Sequence, residues 1–183
     1  MAKPKNKSKK QRILNAAQVK VIFERFAREM AKQYGSLDQV VFIGVRTRGP
    51  YVAKRLAEII KKRHGNEIPV GEMDITLYRD DLNALLPGGT IDHTRIPFDI
   101  ANKSVVLFDD VLHTGRTVRA AVDHLIDLGR PRMIHLAVMI DRGGRELPVA
   151  ANYVGKTIKL AAGGQVHVRL KEVDRTDEVV VET

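Results

Sequence analysis

The chain has 183 residues, of which 44% are hydrophobic and 29% are charged, and its formal net charge is +9. This composition is typical of a globular protein with a sizeable core, and no stretch reaches the ~18 uncharged apolar residues of a membrane span. The absence of cysteine excludes a disulfide framework and thiolate metal sites. The N-terminus lacks the apolar core of a secretory signal, so we expect a cytoplasmic protein without a membrane partner.

The first twelve residues, MAKPKNKSKKQR, form a basic segment without an acidic residue. They carry six of the nine net positive charges, which leaves only three for the rest of the chain. Because this segment has little apolar surface to bury, we expect a disordered tail at 1–12, followed by a single domain at 13–183. The tail is interpreted as either a solvated arm or an electrostatic handle for nucleic acid.

Helices and strands alternate along the rest of the chain. Apolar residues at three- and four-residue spacing predict a first amphipathic helix, capped by Asn15 and ended by Gly35. Short β-branched runs predict buried strands, and Gly49-Pro50 is typical of the start of a second helix. The predicted elements are helix 15–34, strand 39–45, a helix from 49, strand 69–78, strand 104–108, helix 117–128, strand 133–140, and short strands at 153–158, 166–170 and 178–181.

This order predicts an α/β fold with a mainly parallel sheet that is covered by helices on both faces. A polar stretch at 79–95, with Pro-Gly-Gly at its centre, has the length of a functional lid. Ligands of such sheets bind beyond the carboxyl ends of the strands. Chemistry is therefore expected in the segments that follow the strands, which are VRTRG, LYRDDL, DDVLHTGRT and DRGGREL.

The segment DDVLHTGRT has the composition of a phosphate-binding turn between a strand and a helix. The first N–H groups of a helix lack intrahelical partners, and the helix dipole attracts an anion to them. Gly115 permits close approach of the backbone. Thr114 and Thr117 offer hydroxyl donors, and Arg116 adds positive charge. The segment is neither a Walker loop nor a GxGxxG dinucleotide fingerprint.

Asp109 and Asp110 precede this turn, at the predicted end of the strand. Adjacent carboxylates repel each other and lose hydration unless a ligand or a cation offsets the cost. Vicinal hydroxyls donate hydrogen bonds to such a pair, and Mg²⁺ can lie nearby. A ribose 5-phosphate would thus place its hydroxyls on the acids and its phosphate on the turn. The alternative is a pair of solvated loop acids that cap a helix.

With these residues the sequence resembles the type I phosphoribosyltransferases, whose motif for phosphoribosyl pyrophosphate (PRPP) is similar to VVLFDDVLHTGRT. Three further segments, IGVRTRGPYVAKRL, GEMDITLYRDDL and DRGGRELPVAANYVGK, are similar in sequence and order to the PyrR family. Members of that family are pyrimidine operon regulators and also uracil phosphoribosyltransferases. The resemblance, which extends from about Val40 to Lys156, implies the type I phosphoribosyltransferase fold, with a mainly parallel central sheet, a flap loop and a small C-terminal hood.

The resemblance also implies roles for individual residues. Thr47, Arg48 and Gly49 match the pyrophosphate loop of the family, although an exposed basic turn would have the same composition. Arg79 belongs to the flap that folds over the diphosphate, for which the alternative is a solvated hairpin, and Arg142 contacts the uracil edges. The other implied substrate contacts are Asp109, Asp110, Val111, Leu112, His113, Thr114, Gly115, Arg116, Thr117 and Val154. Plain packing is an equally good explanation of Val154.

The implied reaction converts uracil and PRPP to UMP and pyrophosphate. Displacement at the anomeric carbon develops oxocarbenium character, and negative charge grows on the diphosphate. We therefore assign catalytic roles to Arg79, Asp109 and Asp110. Mg²⁺ is the implied cofactor, and Asp109 and Asp110 hold it indirectly. His113 is interpreted as a loop residue and not as a base.

The resemblance implies regulation as well as catalysis. The expected partners are PRPP, uracil, UMP, a pyrimidine-operon leader RNA and a second copy of the chain in a homodimer or higher homo-oligomer. UMP would favour RNA binding and hence transcriptional attenuation. Gly144 stands where the family usually has a histidine, and Ala150 and Asn152 replace a frequent basic residue and aspartate. The missing histidine bears on RNA binding more than on catalysis.

Two alternatives remain open at this point. One is a nucleotide-sensing RNA-binding regulator with little turnover, which would keep the fold and the ligand site. The other is a purine phosphoribosyltransferase, which would share the PRPP motif. The segments DITLYRDDL and DRGGREL disfavour the purine alternative.

Overall fold

Helices and strands alternate in the computed structural model, which describes residues 9–76, 93–161 and 163–183. The elements of these described residues are the strands β1 Lys10–Leu14, β2 Val40–Val45, β3 Val70–Met73, β4 Ser104–Leu112, β5 Met133–Asp141, β6 Tyr153–Thr157, β7 Gln165–Arg169 and β8 Glu178–Glu182, and the helices α1 Ala16–Tyr34, α2 Gly49–His64, α3 Arg116–Leu128 and α4 Lys171–Asp174. No helix in this described part is long and apolar enough to cross a membrane.

The central sheet has five parallel strands in the order β3-β2-β4-β5-β6. All six residues of β2 are buried, as its β-branched sequence predicts for a strand that is covered on both faces. Alternate residues face two separate cores, so Phe42 and Phe108 pack with α1 and α2, whereas Ile43 and Leu107 pack with α3. The predicted parallel sheet between helices is confirmed.

Helix α1 begins with the predicted cap. The Asn15 side chain accepts a hydrogen bond from the Gln18 backbone N–H at 3.0 Å, and the Gln18 side chain accepts one from the Asn15 N–H at 2.9 Å. This reciprocal pair satisfies two N–H groups that the helix itself leaves without partners. Gly35 follows the last turn with φ 63°, a conformation that favours glycine.

A second sheet corrects the expectation of a disordered tail. Residues 10–12 belong to β1, which pairs antiparallel with β8, and β8 pairs with β7. The basic side chains face acidic ones, since Lys10 lies 3.5 Å from Glu182 and Arg12 lies 3.9 Å from Glu178. Pairing with an acidic strand far along the chain thus outweighs the low apolar content of the segment. We call this sheet, together with α4, the hood; residues 1–8 lie outside the described residues.

Strand β4 is longer than predicted. Its pairing with β5 continues through Asp109 opposite Val138 and Leu112 opposite Asp141, so the two acids lie inside the last part of the strand and not after it. Strand β3 is shorter than predicted and ends at Met73. The flap, including Arg79 and most of the predicted loop 79–95, lies outside the described residues.

Candidate active site

A polar cleft of about 440 Å³ lies at the carboxyl ends of β2, β3 and β4. It is lined by Arg46, Thr47, Asp74, Ile75, Thr76, His93, Asp109, Asp110, Val111 and Thr117. Five of the predicted site residues, from the two segments VRTRG and DDVLHTGRT, therefore meet in one place. The location agrees with the rule that ligands bind beyond the carboxyl ends of parallel strands.

The two aspartates of β4 occupy the cleft in different environments. Asp109 is only 7% exposed, and its Oδ1 accepts a hydrogen bond from the Asp110 backbone N–H at 2.8 Å. Burial raises the pKa of Asp110, while its hydrogen bond with Asp109 and the positive charge of Arg48 act in the opposite direction. Burial disfavours the ionised form of Asp110. A hydroxyl donor or a cation nearby would stabilise that form, and a ribose ring with a metal ion offers both.

The turn after β4 joins two residues of the cleft, Val111 and Thr117, although residues 112–116 are not part of its lining. Gly115 has φ 94° and precedes α3, and a Cβ at this position would lie 3.3 Å from Leu147 and Val149. The Thr114 hydroxyl accepts a weak hydrogen bond from the Arg116 N–H at 3.3 Å. Since Thr117 in the first turn lines the cleft, the amino end of α3 faces the space where the phosphate is predicted.

Arg116 connects this turn to the segment after β5. Its Nε donates a hydrogen bond to Glu146 Oε2 at 2.7 Å, and the Glu146 backbone N–H donates to the Thr114 carbonyl at 3.0 Å. The guanidinium therefore bridges two loops beside the cleft. Its direct contact with a phosphate stays a prediction.

Arg145, which the sequence analysis did not single out, organises the same two loops. It donates to the His113 carbonyl at 2.7 Å, to the Val149 carbonyl at 2.9 Å and to Asp141 Oδ2 at 2.6 Å. Burial raises the pKa of Asp141, but the hydrogen bonds from Arg145 and the Gly143 N–H outweigh it and hold that pKa below its usual range. The only sequence signal for a role of Arg145 was that it is the second arginine of DRGGREL.

Arg142, the predicted base-binding residue, lies against the end of β4. Its backbone N–H donates to the Leu112 carbonyl at 3.0 Å. Its Nε is buried and has no hydrogen-bond partner within the described part of the chain. A buried donor without a partner is costly, and an acceptor on a bound base would remove that cost.

His113 lies directly against Gly144. A Cβ on Gly144, whose φ is 73°, would come within 2.9 Å of His113 Nε2. Burial and the positive charge of Arg142 lower the pKa of His113, which favours a neutral imidazole at neutral pH. Gly144, which stands where the family usually has a histidine, thus lies against His113, a relation that the sequence alone did not indicate.

The pyrophosphate loop contributes residues that were only partly predicted. Thr47 lines the cleft together with Arg46, which was missed, and the Arg46–Thr47 peptide bond is cis. Arg48 does not line the cleft; its Nη2 pairs with Asp174 of α4 at 3.0 Å. Gly49 is buried, and a Cβ there would lie 2.3 Å from the Phe108 carbonyl oxygen, so glycine is required for the loop to approach β4.

Two other predicted contacts lie outside the cleft. Leu112 is a core residue that is 1% exposed. Val154 lies on β6, packs against the core on the α3 side, and its carbonyl accepts a hydrogen bond from Arg25 at 2.7 Å. In the structure both side chains pack against the core, and their contacts with a substrate stay predictions.

Asp74, Thr76 and His93 line the cleft without having been predicted. The Thr76 hydroxyl donates to Asp74 Oδ1 at 2.6 Å, and Asp74 follows β3 directly. The rule that sites lie after parallel strands would have found Asp74 if the end of β3 had been placed correctly. No group of three or more His, Cys, Asp or Glu side chains with a metal-binding arrangement occurs among the residues that the structure describes.

Comparisons with known proteins agree with this geometry. The family model for the phosphoribosyl transferase domain matches residues 10–172. The bifunctional protein PyrR of Chloroflexus aurantiacus is 50% identical over 169 residues, covering 92% of this chain and 93% of that protein. The bifunctional protein PyrR of Thermus thermophilus is 46% identical over 170 residues, covering 93% of this chain and 94% of that protein.

Solved structures show the same fold at low sequence identity. A hypoxanthine phosphoribosyltransferase from Trypanosoma cruzi has a TM-score of 0.75 at 17% identity, covering 96% of each chain. One from Staphylococcus aureus has a TM-score of 0.68 at 19% identity, covering 98% of this chain and 96% of that one. The resemblance inferred from the sequence motifs is confirmed, and the chain belongs to the phosphoribosyltransferase family, as a member of its PyrR branch.

Proposed function

We propose that this protein is a uracil phosphoribosyltransferase that converts uracil and PRPP to UMP and pyrophosphate. The observation that carries the proposal is the meeting of Asp109 and Asp110 with the amino end of α3 and the loop at Thr47 in one polar cleft. Such a cleft offers acceptors for ribose hydroxyls and donors for phosphate. Membership of the PyrR branch supports the choice of a pyrimidine base.

In the proposed complex the ribose lies over the end of β4. Its hydroxyls donate hydrogen bonds to Asp109 and Asp110, and its 5-phosphate accepts them from the backbone N–H groups of residues 114–117. The diphosphate lies beside Thr47 and the positive charges of Arg46 and Arg48. This orientation places the anomeric carbon between the base and the leaving group. Holding the reacting groups in line in this way raises the reaction rate.

The reaction then needs no nucleophilic side chain. The bond from the anomeric carbon to the diphosphate oxygen breaks, a bond to uracil N1 forms, and the proton on N1 passes to solvent water. Positive charge on the sugar is stabilised by the two carboxylates, and negative charge on the diphosphate is stabilised by the arginines. Arg79 of the flap remains a proposed catalytic contact to the diphosphate.

Mg²⁺ fits the residues of the cleft. Asp109 and Asp110 supply hard oxygen donors, and Mg²⁺ is commonly bound by one or two carboxylates together with substrate oxygens and water. The lack of a ligand triad among the described residues is consistent with a metal that arrives with PRPP. When bound, Mg²⁺ neutralises charge on the diphosphate.

The base is proposed to lie beside the loop that follows β5. Arg142 would donate its Nε–H, which has no hydrogen-bond partner among the described residues, to a carbonyl oxygen of uracil. Arg145 would hold the surrounding backbone in place. A pyrimidine carbonyl is an acceptor of the required kind. Because PRPP and UMP are highly charged metabolites that do not cross membranes unaided, we propose a cytoplasmic location.

The test is uracil-dependent release of pyrophosphate from PRPP by the wild-type chain and by Asp109→Asn and Asp110→Asn. We expect each variant to lose about 100-fold or more of kcat/KM, since each removes charge that stabilises the transition state. Asp123→Asn is a matched control, because Asp123 is an exposed residue of α3 that pairs with Arg119 away from the cleft. Wild-type activity in both cleft variants would overturn the proposed roles.

Parallel assays with hypoxanthine and guanine distinguish the purine alternative. Turnover of either purine at a rate above that of uracil would contradict the pyrimidine assignment. The similarity to hypoxanthine phosphoribosyltransferases shows only the fold at these identities.

A second function is proposed because the curated relatives are named as bifunctional. UMP bound in the same cleft would favour binding of a pyrimidine-operon leader RNA and thereby promote transcriptional attenuation. The measurement is leader-RNA affinity with and without UMP, at a stated salt concentration. Equal affinities for the leader RNA with and without UMP would contradict the proposed regulatory function and leave only the catalytic one. We propose a homodimer as the RNA-binding species, which sedimentation analysis would test.

A further inference from the structure

An ion pair joins the pyrophosphate loop to the hood. Arg48 Nη2 lies 3.0 Å from Asp174 Oδ1, and Arg48 Nε lies 3.4 Å from Asp174 Oδ2. Both oxygens of the carboxylate therefore contact one edge of the guanidinium, and the two side chains are only 30% and 20% exposed. A partly buried pair with two contacts is better defined in geometry than an exposed single contact.

Asp174 is itself held in place from the other side. Its Oδ2 accepts a hydrogen bond from the Leu170 backbone N–H at 3.0 Å, across the turn of α4. Burial raises the pKa of Asp174, but the hydrogen bonds from Arg48 and Leu170 outweigh that effect and lower it below the usual range. The carboxylate is thus ionised at neutral pH and remains paired with Arg48.

The turn that carries Asp174 is fixed to α2 by a separate contact. Arg55 donates hydrogen bonds to both oxygens of Glu172 and to Asp177 at 3.0 and 2.9 Å. Its guanidinium carbon lies 4.9 Å from the centroid of the Phe23 ring. Since Arg55 secures the hood without Arg48, the Arg48–Asp174 pair is not needed to attach α4.

The pair leaves one edge of Arg48 available. Asp174 uses Nε and Nη2, and Nη1 has no hydrogen-bond partner among the residues described. Arg48 precedes α2 directly and follows the cleft residue Thr47. Its charge also reaches the acid pair, because it lowers the pKa of Asp110 against the effect of burial.

We propose that Asp174 is a positioning residue for substrate binding: it orients Arg48 so that the free edge of the guanidinium meets the diphosphate of PRPP. This inference rests on the proposed function and adds a residue of the hood to it. An arginine without such a partner must be ordered each time the anion binds, which weakens binding. Asp174 acts through Arg48 and does not contact the substrate.

The experiment compares Asp174→Asn with Asp177→Asn. The second substitution also removes a negative charge from this region, but Asp177 contacts Arg55 and not Arg48. We expect Asp174→Asn to raise the KM for PRPP about three- to tenfold, with the KM for uracil unchanged, since about one side chain must be ordered. Asp177→Asn should leave the KM for PRPP unchanged, because Glu172 still accepts hydrogen bonds from Arg55 and keeps α4 in place. Both variants should show similar melting temperatures. Asp174→Glu, which keeps the charge but displaces it, should give an intermediate KM.

A double-mutant cycle tests whether Asp174 works through Arg48. In an Arg48→Ala background, Asp174→Asn should have no further effect on the KM for PRPP. An additive effect, an unchanged KM in Asp174→Asn, or an equal rise in Asp177→Asn would overturn the proposal. If Asp174→Asn does not fold, a wild-type KM in Asp174→Glu would overturn it instead.

Calorimetric titration with inorganic pyrophosphate separates this inference from the proposed function. Weaker pyrophosphate binding by Asp174→Asn than by the wild-type chain would support the positioning role even if uracil were not the accepted base. Equal pyrophosphate binding by the two proteins would contradict it, whichever base is used. Uracil turnover by the wild-type chain tests the proposed function alone.

Discussion

At the scale of single residues, the contact between His113 and Gly144 gives a sharp prediction. Gly144 has φ 73°, and a Cβ there would lie 2.9 Å from Nε2 of the exposed His113 side chain, which would have to move. We expect Gly144→Ala to lower the free energy of unfolding by about 2 kcal/mol or more, since the left-handed conformation alone costs about 1–2 kcal/mol. Urea denaturation followed by circular dichroism measures the change.

Gly143 provides the matched control for that substitution. It has φ 68°, but a Cβ at this position would meet nothing within 4 Å. Gly143→Ala should therefore show only the conformational part of the loss. The additional loss of unfolding free energy in Gly144→Ala should disappear when His113 is also replaced by alanine. Equal losses of unfolding free energy in the two glycine variants would show that the histidine contact is unimportant.

At the scale of elements, β1 determines how much of the basic N-terminus can be removed. Deletion of residues 1–12 removes most of β1 and leaves the edge of β8 unpaired. Deletion of residues 1–8 keeps that pairing. We expect the longer deletion to lower the melting temperature by several degrees, at about 2–4 °C per kcal/mol for a chain of this size, and the shorter one to leave it unchanged.

The shorter deletion also tests the proposed electrostatic handle. It removes three lysines, Lys3, Lys5 and Lys7. If these contact RNA phosphates, the slope of log affinity against log salt should decrease by about 2, at roughly 0.7 per contact with a single strand. An unchanged slope would exclude the tail from RNA binding. A deletion through residue 12 could not be interpreted in this way, because it also disrupts the hood.

At the scale of the whole molecule, two aspartates at the site should affect stability with opposite signs. Burial raises the pKa of Asp110, so the folded protein binds its proton more readily than the unfolded chain does. The resulting loss of folding free energy is largest at pH values above the folded pKa. The loss becomes smaller as pH falls through that pKa. We expect Asp110→Asn to stabilise the fold at neutral pH, and the gain to shrink on acidification, while activity is lost.

Asp141 should behave in the opposite way. Its pKa lies below the usual range, because hydrogen bonds from Arg145 and Gly143 outweigh the effect of burial. The contribution of the carboxylate is therefore present above the unfolded pKa of about 3.9 and is lost as pH falls through the lower folded value. Asp141→Asn should destabilise the fold at neutral pH, as measured by denaturant titration, and the difference should vanish in strong acid. A stabilising effect at neutral pH would contradict the assignment.

Much of the architecture could be predicted from local sequence, because its signals extend over only a few residues. The Asn15 cap, the β-branched run of β2 and the Gly115 turn each indicated their element correctly. The alternation of these elements, together with the rule for parallel sheets, placed Asp109, Asp110 and Thr117 at one cleft. The family motifs then indicated the class of ligand that is proposed for the cleft.

The tertiary structure alone decided the contacts between segments that are distant in sequence. Arg48 and Asp174 are 126 positions apart, and β1 pairs with β8 near the opposite end of the chain. No periodicity or spacing encodes such pairs, because a charged side chain matches many partners equally well until the topology brings one of them within reach. Local sequence thus determined the elements and the edge where the site lies, whereas long-range packing determined which charges meet there.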